Sequence, residues 1–154
     1  MILKFFLPLS ITIALTGCGA PGGVYQNPIQ NLRTISINEV QGYATDMQEF
    51  FEKNGQEKTI SAAQDAVKKG LKDPDSAKFQ NLRLTDYGNG KVVCGEVNAK
   101  NSYGGYVGHK RFVAGTSSAT IYSISSKYQN INEASNAGII AACGYCGVSK
   151  VSIK

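Results

Sequence analysis

Long apolar runs are missing from most of this 154-residue chain. No stretch after residue 17 approaches the ~18 consecutive apolar residues of a membrane-spanning helix, which excludes a polytopic membrane protein. Histidine is scarce too, with His109 the single one. One distant imidazole and three possible thiolates, Cys94, Cys143 and Cys146, do not make the usual paired spacing of a zinc site, so no metal is expected. The strand–loop–helix order ending in Gly-Lys-Ser/Thr is absent, which argues against a phosphate-cradling loop. There is no internal repeat. What the chain does have is ordinary: 42% hydrophobic and 18% charged residues, a length for one domain, and a net charge of +5. That composition excludes a wholly disordered chain.

The amino terminus is the most informative segment. Met1–Lys4 carries one positive charge, and Phe5–Leu15 is an apolar run of eleven. Such a run is too short to span a bilayer and right for the core of an export signal. Leu15-Thr16-Gly17-Cys18 follows. This resembles the lipobox of bacterial lipoproteins. The resemblance implies cleavage before Cys18, attachment of lipid to its thiol, and acylation of the new terminus with palmitate-type chains. Two or three acyl chains hold a protein firmly where one does not. Gly19 in place of Asp implies sorting to the outer membrane, facing the periplasm. Residues 1–17 are thus expected as a signal, and residues 18–44 as the lipidated cysteine and a flexible tether. The tether reading rests on the Gly, Pro, Asn and Gln content of GAPGGVYQNPIQNLRT. Residues 45–154 are expected as one domain.

Within that domain, Thr45 and Gln48 form a capping box, with Met47, Phe50 and Phe51 at helical spacing. A helix is expected over Thr45–Asn54, ended by Asn54-Gly55. Ser61 and Gln64 repeat the box, and Ile60, Ala63, Val67 and Leu71 line one stripe, predicting a second helix over Ser61–Lys72. Lys68, Lys69 and Lys72 suit its carboxyl end, and Asp73-Pro74 stops it. From Phe79 the period becomes two, and Tyr87-Gly88-Asn89-Gly90 supplies hairpin chemistry. Further strands are expected over Lys91–Ala99, Tyr106–Ala114 and Ala119–Ile124. Ile131, Ser135, Ile139 and Ala142 predict a closing helix over Asn132–Cys143. Consecutive strands joined by short turns pair antiparallel. The expected fold is α+β, a sheet of about four strands with helices packed on one face.

Export would place Cys94, Cys143 and Cys146 in an oxidising compartment. Three thiols allow one bridge: Cys94–Cys143, the nearly equivalent Cys94–Cys146, or the tight Cys143–Cys146. Cys143-Gly144-Tyr145-Cys146 has the Cys-x-x-Cys form of a thiol–disulfide oxidoreductase. Its context argues against that reading, because only eight residues follow it and no proline lies beyond Pro74.

Two segments, LKDPDSAKFQNLRL and VCGEVNAKNSYGGYVGHKRFV, are the most distinctive part of the chain. They resemble a family of small exported or lipid-anchored bacterial proteins. The matching positions are Asp73, Pro74, Ser76, Ala77 and Phe79, then Cys94, Gly95, Val97, Asn98, Asn101, Gly104, Gly105, Tyr106 and Gly108. The resemblance implies a shared fold without an established activity. It also implies a bridge from the strand cysteine Cys94 to a cysteine near the carboxyl end, with the Cys143/Cys146 doublet leaving two partners open. In chemical terms Asp73-Pro74-Asp75 is a helix stop, Phe79 a core plug, and Asn98 and Asn101 bonds to turn backbone.

Candidate binding residues cluster around these segments: Glu96, Asn98, Asn101, Tyr106, His109 and Arg111, with Lys100 and Lys110 beside them. Set on one sheet face they could hold an anionic or polar ligand. Glu96 and His109 could be cross-strand neighbours. No convergent acid, base and nucleophile is evident. The expected function is a non-catalytic, lipid-anchored interaction module of the envelope with an envelope protein partner. The alternatives are an inhibitor or immunity-type lipoprotein and an envelope enzyme using the CGYC thiols. Neither a cofactor nor nucleic acid is expected.

Overall fold

The computed structural model describes residues 27–144. The signal segment, Cys18 and Cys146 lie outside them. In chain order the elements are α1 (Pro28–Lys69), a 3-10 turn (Pro74–Ser76), β1 (Lys78–Tyr87), β2 (Gly90–Asn98), β3 (Lys110–Ala114), β4 (Ala119–Ile121), α2 (Gln129–Ser135) and α3 (Ala137–Cys143).

The helix α1 corrects the expected domain boundary. Residues 28–44 are helical and packed, where a tether to residue 44 was predicted. Asn27 caps the helix by accepting from the Ile29 N–H at 3.0 Å, and Pro28 sits where its missing N–H costs nothing. Ser36, Val40, Ala44 and Met47 then form a buried stripe at helical spacing. Only one large side chain lies in its first three positions, so the stripe reads weakly in the sequence. Thr45 is no cap, because its hydroxyl donates back to Gln41 O at 3.1 Å within the helix. The break expected at Asn54-Gly55 is present: Gly55 has φ 78° and ψ 176°. The second limb starts there instead of at Ser61, and buries Thr59, Ala63, Ala66 and Val67.

The four strands form one antiparallel sheet in the order β1-β2-β3-β4. Tyr87 pairs with Gly90 across the tight turn read from the sequence. A bulge interrupts β1 between Gln80 and Arg83, with Asn81 at φ 54°. The third and fourth strands are shorter than expected, and the closing helix is two helices hinged at Asn136. That buried side chain leaves the helix to bond the backbone N–H and C=O of Ser123 at 3.1 and 2.8 Å.

Helices touch both faces of the sheet, not one. Val92, Cys94 and Val113 pack with Ile139, Ala142 and Cys143 of α3 and with Val40 and Ala44 of α1. Alternate residues Val93, Val97, Phe112 and Ala114 pack with Ala63 and Val67 of the second limb of α1 and with Met47. α1 therefore contributes to both cores, Val40 and Ala44 to the first and Met47, Ala63 and Val67 to the second, with the kink at Gly55 between its two limbs. Phe79 meets Phe112 edge-on at 5.9 Å, the plug expected where helix meets sheet. A disulfide joins Cys94 of β2 to Cys143 of α3, with Cα atoms 5.7 Å apart. Arg83 of β1 donates to the carbonyl of Cys143, tying the same corner again.

Candidate binding cleft

The end of the sheet away from the Gly88-Asn89 turn is built by the two distinctive segments. Asp73 Oδ1 accepts from the Ser76 N–H at 3.2 Å and closes the 3-10 turn. Ser76 Oγ donates to Asp73 O at 2.8 Å and accepts from the Lys100 N–H at 2.9 Å. The Tyr106 hydroxyl donates to Ser76 O at 3.2 Å. One serine therefore fastens the exit of β2 and the β2–β3 loop to the turn that follows α1. Asn101 Oδ1 accepts from Tyr103 N and Gly105 N at 2.9 and 3.1 Å, which sets the loop. The Tyr106 ring lies under the ammonium groups of Lys78 at 4.6 Å and Lys100 at 5.9 Å, a cation–π arrangement.

Asn101 and Tyr106 thus hold structure in the loop. Glu96, Asn98 and Arg111 lie on one sheet face. Arg111 stands opposite Glu96 in the strand register. His109 does not, because the ladder ends at Lys110, and the imidazole is exposed in the loop ahead of β3. The Glu96–His109 pairing is therefore not formed. Glu96 instead accepts from Gln80 at 2.7 Å and Asn81 at 3.2 Å, the latter brought over by the bulge. Asn98 Oδ1 is buried without a hydrogen-bond partner, so the expected bond to turn backbone is not made by that atom. The six candidates do not converge on one point.

What does converge lies beside them. A cleft of about 310 Å³ opens between the end of α1, the end of β2, the β2–β3 loop and the end of β4. Leu71, Val97, Val107 and Ile121 give it apolar walls, and Lys72, Lys100 and Lys110 border it. No carboxylate lines it. The size suits a few residues of peptide or a small molecule, and a border of three lysines without a lining carboxylate favours an anion. Lys100 and Lys110, expected beside the candidate residues, do border the cleft, whereas Lys72, just past the end of α1, was read only as a cation suited to that helix end. For Lys100 and Lys110 the sequence carries a signal, since no Asp or Glu occurs between Glu96 and Glu133.

No group of three or more His, Cys, Asp or Glu residues able to hold a metal is found among the described residues. Among the described residues the one clear pKa displacement is remote from the cleft. Burial, then the hydrogen bond to Glu39, push the Tyr43 phenol up to about 12. Cys143 is taken up in its bond to Cys94, so a Cys143–Cys146 pair is not the bridge formed. Compared with known proteins, the chain matches no family model, no curated protein and no solved structure, so its functional reading rests on its own residues and their geometry.

Proposed function

We propose that this is a lipid-anchored, non-catalytic binding protein of the bacterial envelope, facing the periplasm from the outer membrane, whose lysine-bordered cleft takes an acidic, partly apolar segment of an envelope protein. The observation that carries the reading is the cleft itself: three lysines border apolar walls, and no carboxylate is part of its lining. Leu15-Thr16-Gly17-Cys18 supports the anchor. The Cys94–Cys143 bond supports an oxidising compartment, where such bonds persist. The helix starting at Pro28 shortens the leash. Ten residues from Cys18 reach at most ~35 Å when fully extended, so the partner would be met close to the bilayer.

The test is palmitate labelling combined with in-cell crosslinking and pull-down. The wild-type chain is expected to take up label and to capture one fixed partner. The triple variant Lys72→Glu, Lys100→Glu, Lys110→Glu is expected to keep the label and lose the partner. Capture unchanged by the triple variant ends the role of the cleft. An unlabelled, freely soluble chain ends the anchor.

A further inference from the structure

We infer that the amino-terminal end of α1 and the segment leading into α2 form a membrane-seating surface that lies against the bilayer holding the lipid anchor. The inference rests on the anchor proposed above.

Seven large apolar side chains are exposed among the described residues, and they fall in two places. Tyr103, Tyr106 and Val107 belong to the β2–β3 loop. Leu32 (39% exposed) and Ile35 (63%) lie on the first turns of α1, and Ile124 (76%) and Tyr128 (55%) lie just ahead of α2. Hydrogen bonds tie together the elements that carry the second group. Ser36 Oγ donates to Ser135 O at 3.0 Å and accepts from Gly138 N at 2.9 Å, which binds α1 to α2 and α3. Leu32 is one turn before Ser36 and shares its helix face.

The segment carrying Ile124 and Tyr128 is held by two buried asparagines. Asn136 bonds the backbone of Ser123 through N–H and C=O, and Asn132 does the same for Ser126 at 2.9 and 2.7 Å. A surface loop stitched down at both ends has no need to present isoleucine and tyrosine to water. Charge agrees with a phospholipid surface. Residues 28–38 and 115–132 contain no Asp or Glu, while Arg33 and Lys127 add positive charge, the latter 5.1 Å over the Tyr128 ring. Apolar side chains with flanking cations and an aromatic ring are the composition of interfacial membrane contacts. Connectivity names the occupant: the helix that carries Leu32 and Ile35 begins ten residues after Cys18.

The chain has no tryptophan, so one introduced indole reports alone. Tyr128→Trp and, separately, Tyr103→Trp are placed in the full lipidated protein. Each is reconstituted on vesicles of phosphatidylethanolamine and phosphatidylglycerol brominated in their acyl chains. The expected result is blue-shifted, quenched emission from Tyr128→Trp and unquenched emission from Tyr103→Trp. Adding Ile124→Glu and Ile35→Glu to Tyr128→Trp should abolish the quenching while the protein stays on the vesicles. Both positions are exposed, and an unchanged urea midpoint shows that folding is kept. Quenching of Tyr103→Trp instead, of both alike, or of neither overturns the inference while the anchor stands. A chain that mass spectrometry finds without acyl groups at Cys18 removes anchor and seating surface together.

Discussion

At the scale of single residues, glycines decide how closely the chain can approach itself. A Cβ on Gly90 would stand 2.0 Å from Ala44 O, and one on Gly138 would stand 2.2 Å from Ser36 O. Both obstacles are backbone, so they cannot swing away. Gly42, inside α1, has nothing within 4 Å. Gly90→Ala and Gly138→Ala should each lose at least the ~1–3 kcal/mol typical of overpacking. Gly42→Ala should gain ~0.5–1 kcal/mol from helix propensity. Urea denaturation of the three variants checks the opposite signs. Tyr43 makes a pH prediction. Its phenol is pushed up to about 12 in the folded chain from an ordinary 10.0. Below pH 10 both states keep the proton. Between 10 and about 12 the unfolded chain binds fewer protons than the folded one, so stability falls with rising pH across that window. Tyr43→Phe should flatten this part of the stability curve relative to wild type.

At the scale of elements, the kink in α1 is the determining feature. Gly55 adopts φ 78° and ψ 176°, a region open essentially to glycine. No atom lies within 4 Å of a Cβ there, so the cost of Gly55→Ala is torsional alone, about 1–3 kcal/mol. The expected outcome is a lowered urea midpoint with near-unchanged helix content by circular dichroism. If the limbs merged into one straight helix, helix content would rise and the second core would open. The break was legible because Asn-Gly is local turn chemistry. The first limb was not, because its inward stripe is built from the smaller Ser36, Val40 and Ala44, while the larger apolar Leu32 and Ile35 stay exposed. The shortness of β3 was hidden as well. Tyr106 and Val107 are residues that favour strands, yet β3 starts only at Lys110 and the Tyr106 hydroxyl bonds Ser76 O in the loop.

At the scale of the whole molecule, one covalent bond spans both the sheet and its helical cover. Cys94 and Cys143 are 49 residues apart and fully buried or nearly so. In the chain-entropy model a loop of that length stabilises the fold by about 4 kcal/mol. Cys94→Ala with Cys143→Ala should therefore lower the urea midpoint by a corresponding amount. Reductant should have the same effect on wild type and none on the double variant. The charge of the molecule is likewise set at this scale. The acid-free stretch between Glu96 and Glu133 contributes to both the lysine cleft and the proposed seating surface.

By itself the sequence determined what a few neighbouring residues can settle. These are the hairpin at Tyr87–Gly90, the break at Asn54-Gly55, and the order of helices before and after an antiparallel sheet; the stop expected at Asp73-Pro74 comes earlier, with the helix ending at Lys69 and Gly70 as its cap. Turn chemistry and hydrophobic period act within one or two turns of chain, so they can be read locally. The tertiary structure alone decided which cysteine Cys94 meets, that helices cover both sheet faces, and that Lys72, Lys100 and Lys110 border one cleft while His109 stays apart from Glu96. Each of these depends on the distance between segments far apart in sequence. Burial and strand register fix such distances, and no local pattern carries them.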